Sequence, residues 1–129
     1  MIWYIAFGCA VGGVARFLLG GAVQRVAGST FPVWTLLVNV TGSLLLGFLM
    51  RYLLEGSPTS PEVRALLTTG FCGGYTTFST FSFETIALLE QGDIRRGVLY
   101  IVLSVSLSLL ATLGGMGLAR EVMAFRRGA

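Results

Sequence analysis

Four stretches of the chain carry apolar residues almost without interruption: Met1–Leu19, broken once by Arg16, then Phe31–Met50, Ala65–Phe83 and Gly97–Ala119. Each reaches about 20 residues, the length a helix needs to cross a hydrocarbon layer of ~30 Å. Polar clusters rich in Gly, Ser and Pro separate them: Gly28-Ser29-Thr30 ahead of Phe31-Pro32, the run from Glu55 to Pro61, and Gln91-Gly92-Asp93. Such residues punctuate helix ends, and Ser60 followed by Pro61 reads as an N-cap with proline in the first helical position. The pattern therefore predicts an all-α membrane protein with spans over about 2–26, 32–54, 62–90 and 97–120, a single domain over 1–129. The first window has no basic leading region and no small-residue cleavage site, so it reads as a retained span rather than a signal peptide.

Within the spans the polar residues are not scattered. Thr35, Asn39 and Ser43 recur at i, i+4 and i+8, on one face of span two. Tyr100, Ser104, Ser108 and Thr112 do the same in span four, a slowly slanting hydroxyl stripe. A lone serine in a span often bonds its own i−4 carbonyl, and a lone Asn often joins two helices. Two stripes point instead to a wet path. Arg16 costs at least ~2.5 kcal/mol in a span unless it reaches water or a partner, so it either snorkels to the headgroups or lines an aqueous entrance. Gly8 and Gly12 form a small-xxx-small pair, which lets helices approach closely.

Span three departs furthest from an ordinary apolar helix. Gly70-Phe71-Cys72-Gly73-Gly74-Tyr75-Thr76-Thr77-Phe78-Ser79-Thr80-Phe81-Ser82-Phe83-Glu84 combines glycines, hydroxyls and phenylalanines in one run. Adjacent glycines weaken a helix by roughly 1 kcal/mol each, which predicts a broken third helix at Gly73-Gly74-Tyr75-Thr76. In lipid a carbonyl freed there must find protein, water or an ion. Two chains meeting at such a break about a two-fold axis could cage a cation with paired carbonyls.

Composition narrows the chemistry. Of 129 residues, 54% are hydrophobic and 12% charged, which suits a membrane and not a soluble domain. All nine basic residues are arginine and there is no histidine. Schiff-base, histidine acid-base and His-metal chemistry are thereby excluded, which argues against an enzyme. Cys9 and Cys72 lie inside spans without metal-ligand spacing and read as small buried hydrophobes. Arg51, Arg64, Arg120, Arg126 and Arg127 fall on one side of the membrane and Arg25, Arg95 and Arg96 on the other. That weak bias leaves open both a single orientation and insertion both ways round, with an antiparallel pairing of two copies.

The embedded inventory is hydroxyls, one amide, one arginine and aromatic rings, with one acidic residue, Glu84, near the exit of span three. Cation pathways and proton-coupled pumps place carboxylates in mid-span; this set suits a small hydrated anion. Phe78 and Phe81 share a helical face, and the positive edges of their rings could polarise toward an anion while their bulk excludes larger ones. Plain packing is the competing reading.

The run Gly70 to Ser82, with Gly12-Gly13-Val14-Ala15-Arg16-Phe17 in span one and Thr35-Leu36-Leu37-Val38-Asn39-Val40-Thr41-Gly42-Ser43 in span two, resembles the Fluc (CrcB) fluoride channels over essentially the whole chain. The resemblance implies a dual-topology antiparallel homodimer in the prokaryotic cytoplasmic membrane, with two fluoride pores and a central structural Na+. On that likeness, the carbonyls of Gly73 and Thr76 would hold the sodium and Phe78 and Phe81 would be the pore phenylalanines. Asn39 would contact fluoride or the rings, Tyr100, Ser104 and Ser108 would form a polar track, Arg16 would sit at a vestibule, and Glu84, Ser79 and Thr80 would lie along the route. Trp34 and Leu44 depart from the residues common in the family, and Thr112 has no counterpart to carry over. The implied activity is passive export of cytoplasmic fluoride, driven by the membrane potential. The alternative is a small four-span proton-coupled multidrug exporter, which would need a carboxylate in span one where Arg16 stands.

Overall fold

The computed structural model describes residues 1–56 and 58–129; of the predicted Glu55–Pro61 loop, Ser57 lies outside the described residues. The described chain is helical: α1 (Ile2–Ala27), α2 (Val33–Glu55), α3 (Pro61–Ala65), a π-helical segment (Leu66–Cys72), α4 (Gly73–Tyr75), α5 (Phe78–Glu90) and α6 (Ile94–Gly128). Three of these helices, α1, α2 and α6, are long and apolar enough to cross a membrane. Their outward faces carry large apolar side chains such as Trp3, Phe17, Leu110 and Leu113, as lipid requires of a multi-pass membrane protein.

Local chemistry sets the ends. Gly28 closes α1 in the left-handed region at φ 52°, a conformation that costs glycine nothing. Ser60 accepts from the Val63 amide ahead of Pro61, and Asp93 accepts from the Arg96 amide at the start of α6. α6 begins at Ile94 and runs 35 residues to Gly128, past the 97–120 read from hydropathy, because the polar turns at both ends remain helical.

The third polar-apolar window is interrupted, but not at its glycines. The chain stays helical through Gly73-Gly74-Tyr75 and opens at Thr76 (φ −83°, ψ 159°) and Thr77 (φ −150°, ψ 108°), both extended. β-branched threonines accept this conformation readily. The glycines serve close approach instead. A Cβ on Gly74 would meet Cys9 O at 2.5 Å, and one on Gly12 would meet Phe71 O at 2.2 Å. α1 and the π-helical segment therefore touch backbone to backbone. The same device brings α2 and α6 together, where a Cβ on Gly115 would meet Leu44 O at 2.1 Å.

Gly12→Ala is accordingly expected to destabilise by about 1–3 kcal/mol, because neither backbone can yield. Gly13→Ala, whose new Cβ would find, among the described residues, only Gly74 O at 4.0 Å, should change stability by no more than about 0.5 kcal/mol. Thermal unfolding of the two variants in detergent, followed by loss of monodispersity, separates them.

Candidate functional site

The break at Thr76-Thr77 is fastened by one side chain. Asn39, one turn below Thr35 on α2, receives the Thr77 amide on Oδ1 at 2.7 Å and donates Nδ2 to the Thr77 carbonyl at 3.0 Å. A carboxamide thus pairs with Thr77 as a neighbouring β-strand would. The Thr77 amide, which in a continuous helix would close on Gly73 O, is turned away from it. Arg16 approaches from α1 and donates Nη1 to the Thr76 carbonyl at 3.2 Å. Below the break, Thr77 caps α5: its Oγ1 accepts from the Thr80 amide at 3.2 Å and lies within hydrogen-bond distance of the Ser79 and Thr80 hydroxyls. Thr77 is the residue the sequence reading left out of the site. Its signal was the hydroxyl just ahead of the Phe78–Glu90 helix, an N-cap pattern.

Two grooves lie along α5, one at its start and one toward its end. The larger, about 310 Å3, runs between α2, the break and α6 and is bordered by Asn39, Ser43, Phe78, Phe81, Ser104 and Ser108. The smaller, about 220 Å3, is bordered by Gln24, Thr30, Trp34, Glu84 and Gln91. Phe81 and Tyr100 stand between them, ring centroids 5.1 Å apart and tilted by 53°. Tyr100 is fully buried. Its hydroxyl donates to Glu84 Oε2 at 2.7 Å, while Thr35 donates to Glu84 Oε1 at 2.9 Å.

Ser104 is 7% exposed, and among the described residues its Oγ has no hydrogen-bond partner. A helical serine can bond the i−4 carbonyl at little expense; this hydroxyl does not, and a buried orphan costs roughly 1–3 kcal/mol. Ser108, Ser104 and Tyr100 climb one face of α6 over roughly 12 Å, from the larger groove to the Glu84 carboxylate. Thr112, next in the stripe, bonds the carbonyl of Ser108 at 3.0 Å and does not border either groove.

The candidate residues thus separate. Asn39, Phe78, Phe81, Ser104 and Ser108 meet around one groove, and Tyr100 links it to Glu84 at the other. Ser79 and Thr80 gather on Thr77 and border neither groove, and Arg16 sits on the break. Phe81 is 9% exposed, whereas Phe78, although its ring centroid is 5.5 Å from that of Phe81, is turned outward at 78%. Gly73, three residues ahead of the break, is open: among the described residues a Cβ on it would meet nothing within 4 Å. Chemically, the larger groove offers a free hydroxyl, one uncommitted amide hydrogen of Asn39 and ring edges, a set of donors without a carboxylate among its described lining.

Comparison with known proteins agrees with the pattern. The profile described as CrcB-like protein, Camphor Resistance (CrcB), matches residues 3–116. A protein named fluoride-specific ion channel FluC from Rhizobium meliloti is 48% identical over 122 residues, covering 95% of this chain and 98% of the relative. One of the same name from Methanopyrus kandleri is 48% identical over 122 residues, covering 95% and 91%, and one from Geobacter sulfurreducens is 49% identical over 113 residues, covering 88% and 91%. With the family profile matching residues 3–116 and these relatives 48–49% identical over most of their length, the chain belongs to the CrcB family.

Proposed function

We propose that this protein is a passive fluoride-selective channel of the prokaryotic inner membrane, exporting cytoplasmic fluoride down its electrochemical gradient. The observation that carries the reading is the buried Ser104 hydroxyl, without a partner among the described residues, in a largely apolar groove that it shares with Phe81, Asn39, Ser43 and Ser108. A dehydrated fluoride needs O–H, N–H and ring-edge partners to replace its water, and these are the groups present. The names of the relatives support the same reading. Serine hydroxyls, the Asn39 amide and the Phe81 edge would strip the anion; Tyr100 and Thr35, already donating to Glu84, would pass it along the carboxylate by exchanging hydrogen-bond partners. No nucleotide or proton coupling enters.

The working unit in this proposal is an antiparallel, dual-topology homodimer with two pores, and the interrupted α3–α5 run is the third of four spans in each copy. Outward-facing Phe78 and open Gly73 would then be covered by the second copy. The donor set at the break suits a structural Na+: neutral backbone oxygens of Gly73 and Thr76, two from each copy, are hard ligands for a hard cation. When bound, such an ion would add fixed positive charge near both pores. Arg16, which already touches the Thr76 carbonyl, would share that oxygen with it.

Proteoliposomes loaded with fluoride or chloride and followed with ion-selective electrodes test the proposal. Rapid fluoride release without comparable chloride release is expected; equal rates for the two ions would overturn it. Uptake of an ethidium-like cation against a proton gradient would favour the exporter reading instead.

A further inference from the structure

α6 outruns the bilayer. Its 35 residues extend over roughly 52 Å at 1.5 Å per residue, against a hydrocarbon core of ~30 Å. Its last turns emerge among the headgroups. There α6 faces the end of α2 across a cavity of about 230 Å3 bordered by Tyr52, Gly56, Met123, Arg126 and Arg127.

The cavity has two chemistries. Its floor is apolar: Met123 is 7% exposed, and its Sδ fills the space beside Gly56, where a Cβ would meet it at 2.4 Å. Its rim is cationic, with Arg126 donating to the Tyr52 hydroxyl and Arg127 supplying a second guanidinium. Among the described residues the lining holds no carboxylate. Glu55, the nearest in sequence on α2, is paired with Arg51 at 2.9 Å. The C-terminal end of a helix presents carbonyls and partial negative charge, so an anion held here is held by side chains. Phe125, beside the two arginines, is 79% exposed and adds apolar surface at this end of α6.

We infer that this cavity binds the headgroup of an anionic phospholipid. Arg126 and Arg127 take the phosphate, and Met123 and Gly56 face the glycerol end of the acyl chains. The apolar floor selects lipid over free phosphate, which would gain nothing from it. The inference requires only that the chain sit in a membrane, and it is independent of what the groove around Phe81 conducts.

Native mass spectrometry of the detergent-purified protein, titrated with short-chain phosphatidylglycerol or phosphatidylcholine of the same chain length, tests it. Phosphatidylglycerol adducts should outlast phosphatidylcholine adducts and weaken as salt rises. The Arg126→Gln/Arg127→Gln double variant should bind phosphatidylglycerol roughly tenfold or more weakly, while Arg95→Gln at the opposite end of α6 should bind as the unmodified protein does. Equal retention of the two lipids, or full retention by a double variant that remains monodisperse, would overturn the inference. So would displacement of phosphatidylglycerol by inorganic phosphate, which would make this a free-anion site. The comparison of the two lipids on the unmodified protein decides the matter even if the double variant fails to fold.

Discussion

Asn39→Ala is expected both to destabilise the fold and to slow efflux through the proposed pathway. The alanine removes both bonds from the carboxamide, the 2.7 Å bond that is the Thr77 amide's side-chain partner and the 3.0 Å bond to its carbonyl. Thr77 is only 6% exposed, so water cannot stand in freely. The carbonyl keeps the Phe81 amide of the first turn of α5, so the cost is that of one orphaned backbone N–H, roughly 1–3 kcal/mol, enough to loosen the break or to let the Thr77 amide swing back toward the Gly73 carbonyl and close the helix. Fluoride efflux should fall at least tenfold, and the variant should lose monodispersity at a lower temperature. Asn39→Gln is informative beside it, because the same amide on a longer stem overshoots Thr77 and should rescue little. Unchanged efflux and unchanged melting in Asn39→Ala would show that the carboxamide does not hold the break.

Phe81→Ile is expected to abolish selective efflux while leaving the protein folded. The ring packs on Tyr100 at 5.1 Å and on Phe78 at 5.5 Å. Its replacement forfeits an aromatic pairing of roughly 0.5–1.5 kcal/mol in stability, a loss a folded membrane protein tolerates. The conduction step loses more, since isoleucine keeps the bulk but has no positive edge to meet a dehydrated anion between the two grooves. A fall of about a hundredfold corresponds to a barrier raised by ~2.7 kcal/mol. Phe17→Ile, on the outward face of α1 at 77% exposure, should leave efflux unchanged. Equal loss in both variants would point to a general effect of removing phenylalanine and not to a role for Phe81.

The parts of this arrangement that the sequence displays are those governed by local rules. Hydropathy marks α1, α2 and α6 because a lipid-facing helix must be apolar along its length. The period-four stripes identify the inward faces because residues at i+4 share a side: Tyr100 and Ser104 are buried, and Asn39 borders the larger groove. The interruption is legible, and the chain opens at Thr76, the last residue of the expected stretch, and not at the glycines. Gly73-Gly74 looks like the weak point by helix propensity, yet tertiary packing against Cys9 uses the missing Cβ of Gly74, and the opening passes to Thr76-Thr77, where Asn39 can reach the backbone. The π-helical turn over Leu66–Cys72 left no mark in the residue pattern. The hydroxyls on Glu84 were equally hidden. Thr35 and Tyr100 stand 49 and 16 residues from it in sequence, and only the assembled helices bring them to one carboxylate.

The interlock of α1 with the π-helical segment also orders events at the ribosome. Gly8 and Gly12 are shaped for backbone that lies far downstream; the Cys9 thiol, between them, reaches the Thr69 carbonyl 60 residues on. At roughly 5–20 residues per second, translation of that interval takes about 3–12 s. Throughout it, the first helix must wait in the bilayer with its notched side uncovered, in the keeping of lipid or of the insertion machinery.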